Sequence, residues 1–239
     1  QPACRRLPVH ETDTRAKDDH RRSPQDRGRR GHEDGDRVRR ARDPIVAIDN
    51  VVPVPRGRLI TLEGLDGAGK TTVAAGLKTT LAERGVNVSL LREPGGVRAA
   101  EHVRELVKNP DLVIGPRAEA LLYAAARAQL VDEALEPLLD AGRWVLLDRY
   151  VDSSLAYQGG GRGLGIDQVR AINDFAIRGL TPDRTLLLVV DPEVGLSRAS
   201  GRAGPLDRLE RERAEFFIAV ASAYAELARD DPVRIRTIN

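Results

Sequence analysis

Eight consecutive residues, Gly64-Leu65-Asp66-Gly67-Ala68-Gly69-Lys70-Thr71, fit the phosphate-loop pattern G-x-x-x-x-G-K-[ST] at every fixed position. Glycines in such a loop let backbone N–H groups converge on phosphate oxygens at a helix N-terminus. Lys70 can then reach the terminal phosphates, and the Thr71 hydroxyl can ligate magnesium. The pattern predicts a nucleotide binder without separating kinases, GTPases and motor ATPases. No guanine-reading Asn-Lys-x-Asp segment is present, and a motor ATPase needs more elements than the rest of the chain supplies. Small-molecule kinases place several arginines around two phosphate groups, because donor and acceptor are both highly charged. Candidates stand at Arg149 beside Asp148, at Arg127 four residues after Tyr123, and at Arg198, Arg202 and Arg208.

The elements that must position these residues are legible from apolar periodicity. Arg58 to Glu63 reads as a short buried strand, followed by the glycine loop and a helix with Val73, Leu77 and Leu81 at helical spacing. Gly85 ends that helix and Val86 to Leu91 forms a second strand. A helix over 99–107 precedes a longer one over 117–139, whose apolar positions include Leu121, Leu122, Ala125 and Val131, and whose last turn Pro137 kinks. Trp144 to Leu147 is a third strand. It delivers Asp148 and Arg149 at its C-terminal end, where open α/β sheets bind ligands. A glycine-rich loop, 159–165, leads to a helix with Val169, Ile172 and Phe175 on one stripe. Arg184 to Val190 is the fourth strand, Asp191 caps the next helix, and residues 200–207 form a polar loop. A helix over 208–228 turns Phe217, Val220, Tyr224 and Leu227 inward, and Val233 to Ile238 closes the sheet. Alternation of this kind predicts an α/β fold with five parallel strands flanked by helices.

Bulk composition narrows the setting. Residues 1–57 hold 14 Lys and Arg against 10 Asp and Glu, and the rest holds 24 against 26, so the basic character belongs to the leading segment. That segment is too poor in large apolar residues to offset the entropy of ordering, and residues 1–57 read as a disordered tail and linker before a domain over 58–239. Its near balance of acids and bases argues against nucleic-acid binding as a function. Its histidines, His10, His20 and His32, read as solvated. Cys4 is the only cysteine, which excludes an internal disulfide or Cys-based metal site and fits a cytoplasmic setting. No apolar run approaches a membrane span. The lack of Met, with Gln1 first, reads as a trimmed or partial chain.

Four segments taken together carry a resemblance: residues 63–72, Arg92-Glu93-Pro94-Gly95-Gly96, Asp148-Arg149-Tyr150 with Ser153-Ser154-Leu155-Ala156-Tyr157-Gln158-Gly159, and Leu206-Asp207-Arg208. In order and spacing over 58–238 they resemble thymidylate kinases, of the bacterial type whose lid supplies the catalytic cation. The resemblance implies the P-loop NTPase fold of nucleoside monophosphate kinases, a homodimer, and Mg2+-dependent transfer of the ATP γ-phosphoryl group to dTMP. It assigns ATP to Gly64, Leu65, Asp66, Gly67, Ala68, Gly69, Lys70, Thr71 and Thr72, magnesium to Thr71 and Asp148, and catalysis to Lys70, Asp148, Arg149, Arg202 and Arg198. Arg149 is to bridge the two phosphates, with Asp66 and Glu93 near the acceptor and the metal. Tyr123, commonly Phe in the family, is to stack on thymine while Arg127 grips phosphate. Arg104, Ser154 and Gln158 are to contact the base, and Tyr157 the sugar. Val97 departs from a common Thr. Relatives continue into a C-terminal helix after the last strand, so the resemblance implies a domain lacking that helix. The alternatives are a kinase for another nucleoside monophosphate and a truncated nucleotide-binding module without full activity.

Overall fold

The computed structural model describes residues 54–200 and 207–239. The expectations for the tail, its histidines and Cys4, and for Arg202, fall outside the described residues.

Strands β1 (Leu59–Glu63), β2 (Val88–Arg92), β3 (Trp144–Asp148), β4 (Arg184–Leu188) and β5 (Ile235–Ile238) form one parallel sheet in the order β2-β3-β1-β4-β5. Period-two alternation splits the central strands between two cores. On one face Ile60, Leu62, Trp144 and Leu146 pack with Ala74 and Leu77 of α1 (Lys70–Glu83). On the other, Leu59, Val145 and Leu147 meet Leu130 of α3 (Pro116–Leu130) and Leu139 of α4 (Glu136–Asp140). A third cluster joins Leu187 and Ile235 to Phe217, Val220, Tyr224 and Leu227 of α8 (Ala214–Asp230). Helices α2 (Arg98–Lys108), α5 (Val151–Ser154), α6 (Ile166–Ile177) and α7 (Pro192–Ser200) complete the order. Glu63, Arg92 and Asp148 are the last residues of β1, β2 and β3, so three polar side chains converge at one edge.

Four local expectations are corrected. The long helix is not regular, because a π-helical turn over Val131–Leu135 separates α3 from α4. Pro137, which lacks the N–H of an α-helical bond and crowds the preceding carbonyls, follows that wide turn. The glycines after Gln158 do not begin a loop, because Leu155–Gly161 is π-helical and packs on α8. A Cβ on Gly160 would lie 2.6 Å from the Ala223 Cβ, and one on Gly161 2.6 Å from Phe216 Cε2, so these glycines serve close packing. Phe175 and Leu121 point outward, 89 % and 56 % exposed, while Asn173 and Ala176 take the buried stripe of α6. The last helix starts at Ala214 instead of 208, because Asp207 Oδ1 accepts the amides of Leu209 and Glu210 and holds a turn there.

Candidate active site

The glycine loop takes its shape from what it must approach. Gly64 has φ +129°, and a Cβ there would stand 2.2 Å from the Leu188 carbonyl oxygen of β4. The loop therefore passes against the sheet before α1 begins at Lys70. The first amides of α1 have no carbonyl inside the helix to bond, and they lie at its positive dipole end. Lys70 is 7 % exposed, and its Nζ donates to the carbonyls of Gly64 (3.1 Å) and Leu65 (2.9 Å). Burial, then the neighbouring Arg149, pushes its pKa down to about 8, against the pull of Asp66, Asp148 and Glu63.

Beyond β3 the chain turns abruptly. Arg149 has φ +72°, a left-handed conformation uncommon for a residue with a side chain. Its amide donates to Leu62 O at 3.0 Å, which ties the turn to β1. Nη1 donates to Gly64 O (3.0 Å) and reaches Ser153 Oγ (3.2 Å) and Tyr224 Oη (3.5 Å). Nη2 donates to Asp66 Oδ1 (2.8 Å) and Tyr157 Oη (3.2 Å), with the guanidinium over the Tyr157 ring. Beside it, Asp148 Oδ1 is buried without a hydrogen-bond partner.

The opposite wall is built by α3 and the segment after β3. Arg127 is 1 % exposed. Its Nε donates to Glu93 Oε2 (2.8 Å), Nη1 to Ser154 Oγ and Asn173 Oδ1, and Nη2 to Tyr150 O (2.9 Å), while Nη2 also forms an ion pair with Glu93 Oε2 at 2.6 Å. Four of the five N–H donors of the guanidinium are thus bonded within the protein. These bonds tie α3 to the ends of β2 and β3 at the cavity wall. Both contacts of Arg127 with Glu93 fall on one oxygen, and Oε1 is buried without a hydrogen-bond partner. Burial raises the Glu93 pKa to about 7 against the pull of Arg127. Tyr123, one turn before Arg127, lines the cavity, and burial together with Glu119 drives its hydroxyl above the ordinary tyrosine range. Arg104 donates to Pro94 O at 2.9 Å.

One cavity of about 770 Å³ unites these groups. Among the expected residues, Asp66, Gly67, Gly69, Lys70, Thr71, Thr72, Glu93, Arg104, Tyr123 and Arg127 line it, as do Asp148, Arg149, Ser154, Tyr157, Gln158 and Arg198. Gly64, Leu65 and Ala68 shape the loop behind the lining. Of the expected lid arginines, Arg208 donates to Val107 O (2.9 Å) and Glu119 Oε2 (2.5 Å), and Arg198 lines the cavity.

Two carboxylates at the site escape a reading of the sequence alone. Glu63 is fully buried under the Arg149 turn; its one signal is a polar residue ending an otherwise buried strand. Glu119, also fully buried, accepts from Gln158 Nε2 (2.8 Å), Arg162 Nη2 (3.0 Å) and Arg208, and so links the Gln158 wall to the segment before α8. Burial opposes its ionisation, but hydrogen bonds from Arg162, Gln158 and Arg208 prevail and hold its pKa below the ordinary value. Glu119→Ala removes one carboxylate partner from two partly buried guanidinium groups, leaving Arg162 on Glu212 and Arg208 on the Val107 carbonyl, and lowers unfolding free energy by about 2 kcal/mol. Urea denaturation reads this directly, and a change below about 0.5 kcal/mol would mean that water replaces the carboxylate without loss.

A fixed cation between the phosphate loop and the aromatic-walled part of the same cavity suits transfer of a phosphoryl group between two bound phosphates. Comparison with known proteins agrees. A profile described as thymidylate kinase matches residues 62–239. The chain is 48 % identical to the thymidylate kinase of Carboxydothermus hydrogenoformans over 75 % of its own length and 88 % of the relative's. With that of Chromobacterium violaceum it shares 46 %, covering 78 % and 87 %. The crystal structure of thymidylate kinase from Ehrlichia chaffeensis superposes with a TM-score of 0.64 at 32 % identity, covering 77 % of this chain and 89 % of that one. With its phosphate loop, its sheet order and these relatives in agreement, the chain belongs to the thymidylate kinase family.

Proposed function

We propose that the cavity has a donor half at the glycine loop and an acceptor half against α3, with Arg149 between them. The chain phosphorylates dTMP to dTDP with ATP as donor. The observation that carries the division is the Arg149 guanidinium, bonded on one side to Gly64 and Asp66 of the loop and on the other to the Tyr157 hydroxyl. The acceptor is a phosphate oxygen, already largely ionised because its second pKa is about 6, so no general base is needed. Catalysis then rests on positioning and charge neutralisation.

In this reading the backbone of residues 64–72 and the Lys70 ammonium hold the ATP phosphates, and Arg149 draws donor and acceptor together. Tyr123 stacks on thymine, Tyr157 packs on the sugar, and Arg104, Ser154 and Gln158 border the base. Arg127 holds Glu93 and Ser154 in place. Arg198 and Arg202 supply charge over the transferring group. Hard oxygen donors suit Mg2+, and the unpartnered Asp148 Oδ1 with the Thr71 hydroxyl fits an ion that keeps most of its ligands as water and phosphate. When bound, magnesium neutralises charge on the β and γ phosphates. Steady-state assays should show dTMP preferred by at least about tenfold in kcat/KM over dUMP, CMP and thymidine, and activity lost with EDTA and restored by Mg2+. Preference for another acceptor, or turnover unaffected by EDTA, would overturn these assignments.

We also propose a homodimer and a cytoplasmic setting, where ATP and nucleoside monophosphates are found. Helices α2, α3 and α6 pack side by side. They leave Leu106, Leu121 and Phe175 exposed at 41, 56 and 89 %. Phe175→Glu should convert a dimer to a monomer in light scattering; a monomeric unmodified chain would refute the dimer. Among the described residues no helix is long and apolar enough to cross a membrane.

A further inference from the structure

Glu63 is fully buried, at the end of β1 immediately before the glycine loop. Its Oε1 accepts the Tyr150 amide at 2.8 Å. Its Oε2 accepts Ser153 Oγ at 2.5 Å and Tyr224 Oη at 2.9 Å, and these two hydroxyl oxygens are 2.9 Å apart. On their other side stands Arg149 Nη1, 3.2 Å from Ser153 Oγ and 3.5 Å from Tyr224 Oη. Hydroxyl polarity in this cluster is decided by its ends. Burial and the nearby Asp152 raise the Glu63 pKa to about 7, so above neutral pH the carboxyl is ionised and only accepts, while the Arg149 guanidinium only donates. The two hydroxyl protons must therefore run toward Glu63, which turns their lone pairs toward Arg149.

We propose that Glu63 is a positioning residue for phosphoryl transfer: through Ser153 and Tyr224 it sets the hydrogen-bond polarity that holds the Arg149 guanidinium between the two phosphates. The same carboxylate, through the Tyr150 amide, fixes the backbone just after the left-handed Arg149 turn. One group thus constrains both ends of the arginine while touching neither substrate. The proposal rests on the reading that Arg149 serves the phosphates.

The isosteric substitution Glu63→Gln reverses that polarity. Tyr150 N–H needs an acceptor, so the amide oxygen takes the Oε1 place and the amide NH2 faces the two hydroxyls. Their lone pairs then turn to the amide and their protons confront the N–H groups of Arg149. We expect kcat to fall by roughly 30-fold while KM for ATP and for dTMP stays within about threefold, since an interaction made in the transition state is what weakens. A double-mutant cycle supplies a readout that general loosening would not move. Tyr224→Phe should cost about fivefold in the unmodified background but cost nothing, or recover activity, beside Glu63→Gln, because it removes a proton aimed at Arg149.

Kinetics of the four proteins, with melting temperatures as a check on folding, decide the matter. A kcat for Glu63→Gln within about twofold of the unmodified chain, or costs that simply multiply in the double variant, would overturn the proposal. Should Glu63→Gln fail to fold, Ser153→Ala and Tyr224→Phe carry the test, since both keep Glu63 and remove a relay; full kcat in both would refute it. Arg149→Ala separates the two levels. An inactive Arg149→Ala beside a fully active Glu63→Gln sinks the positioning role alone, whereas an active Arg149→Ala sinks the reading beneath it.

Discussion

Arg149→Ala lowers kcat for dTMP phosphorylation by about a thousandfold or more, the scale on which a cation aimed at a transferring phosphoryl group acts. The guanidinium is preorganised. Its side chain is 16 % exposed, bonded to Gly64 O, Asp66 and Tyr157, and stacked on the Tyr157 ring. Such a group needs little rearrangement as charge builds on the transferring phosphoryl. The backbone points the same way, because a non-glycine residue at φ +72° is held there by its surroundings, and such strain gathers at functional sites. Arg149→Lys keeps a charge but loses the fork that contacts loop and hydroxyl together, and should remain about a hundredfold impaired. The fold should survive either change, since Asp66 is 30 % exposed and regains water. Rapid-quench or coupled steady-state assays read the effect. A kcat within about tenfold of the unmodified chain would reduce Arg149 to a tether for the glycine loop.

The second large effect falls on Lys70. Lys70→Ala lowers kcat/KM for ATP by about a thousandfold, with nucleotide affinity itself falling by at least about tenfold. The ammonium lies where solvent screening is weak, so its attraction to polyphosphate exceeds that of a surface lysine. It is also held near the loop by the carbonyls of Gly64 and Leu65, and moves only from these onto the phosphates. Lys70→Arg is not expected to rescue, because a planar fork cannot occupy the narrow place of a compact ammonium between two backbone carbonyls. Titration calorimetry with ATP and steady-state kinetics test both parts. ATP affinity and kcat both within threefold of the unmodified chain would show that the amides at the start of α1 hold the phosphates unaided.

Much of the fold was open to inspection from the sequence, for reasons particular residues make plain. Five short apolar runs separated by helical periodicity admit few arrangements other than a parallel sheet with both faces covered. The phosphate loop was recognisable because its chemistry depends on backbone conformation and one lysine, which glycine spacing reports directly. The errors share a cause. Apolarity places Phe175 inward, yet the buried stripe of α6 runs through Asn173, whose side chain is held by Arg127 and the Val169 carbonyl. The glycines after Gln158 looked like a loop because glycine in sequence marks flexibility, and only contact with α8 shows that it also marks close packing.

Local spacing is enough to give the order of the main elements, the phosphate loop, the arginine at the end of β3 and the resemblance that narrowed the acceptor to dTMP. Tertiary structure alone decided which arginines are engaged. Arg127 and Arg149 look alike in the sequence, but the first is bound by Glu93, Ser154, Asn173 and the Tyr150 carbonyl, and the second joins Asp66 of the loop to the Tyr157 hydroxyl. Glu63 and Glu119 gained their places in the same way. A buried charge is defined by partners many residues distant, and only the folded chain brings them within hydrogen-bonding reach.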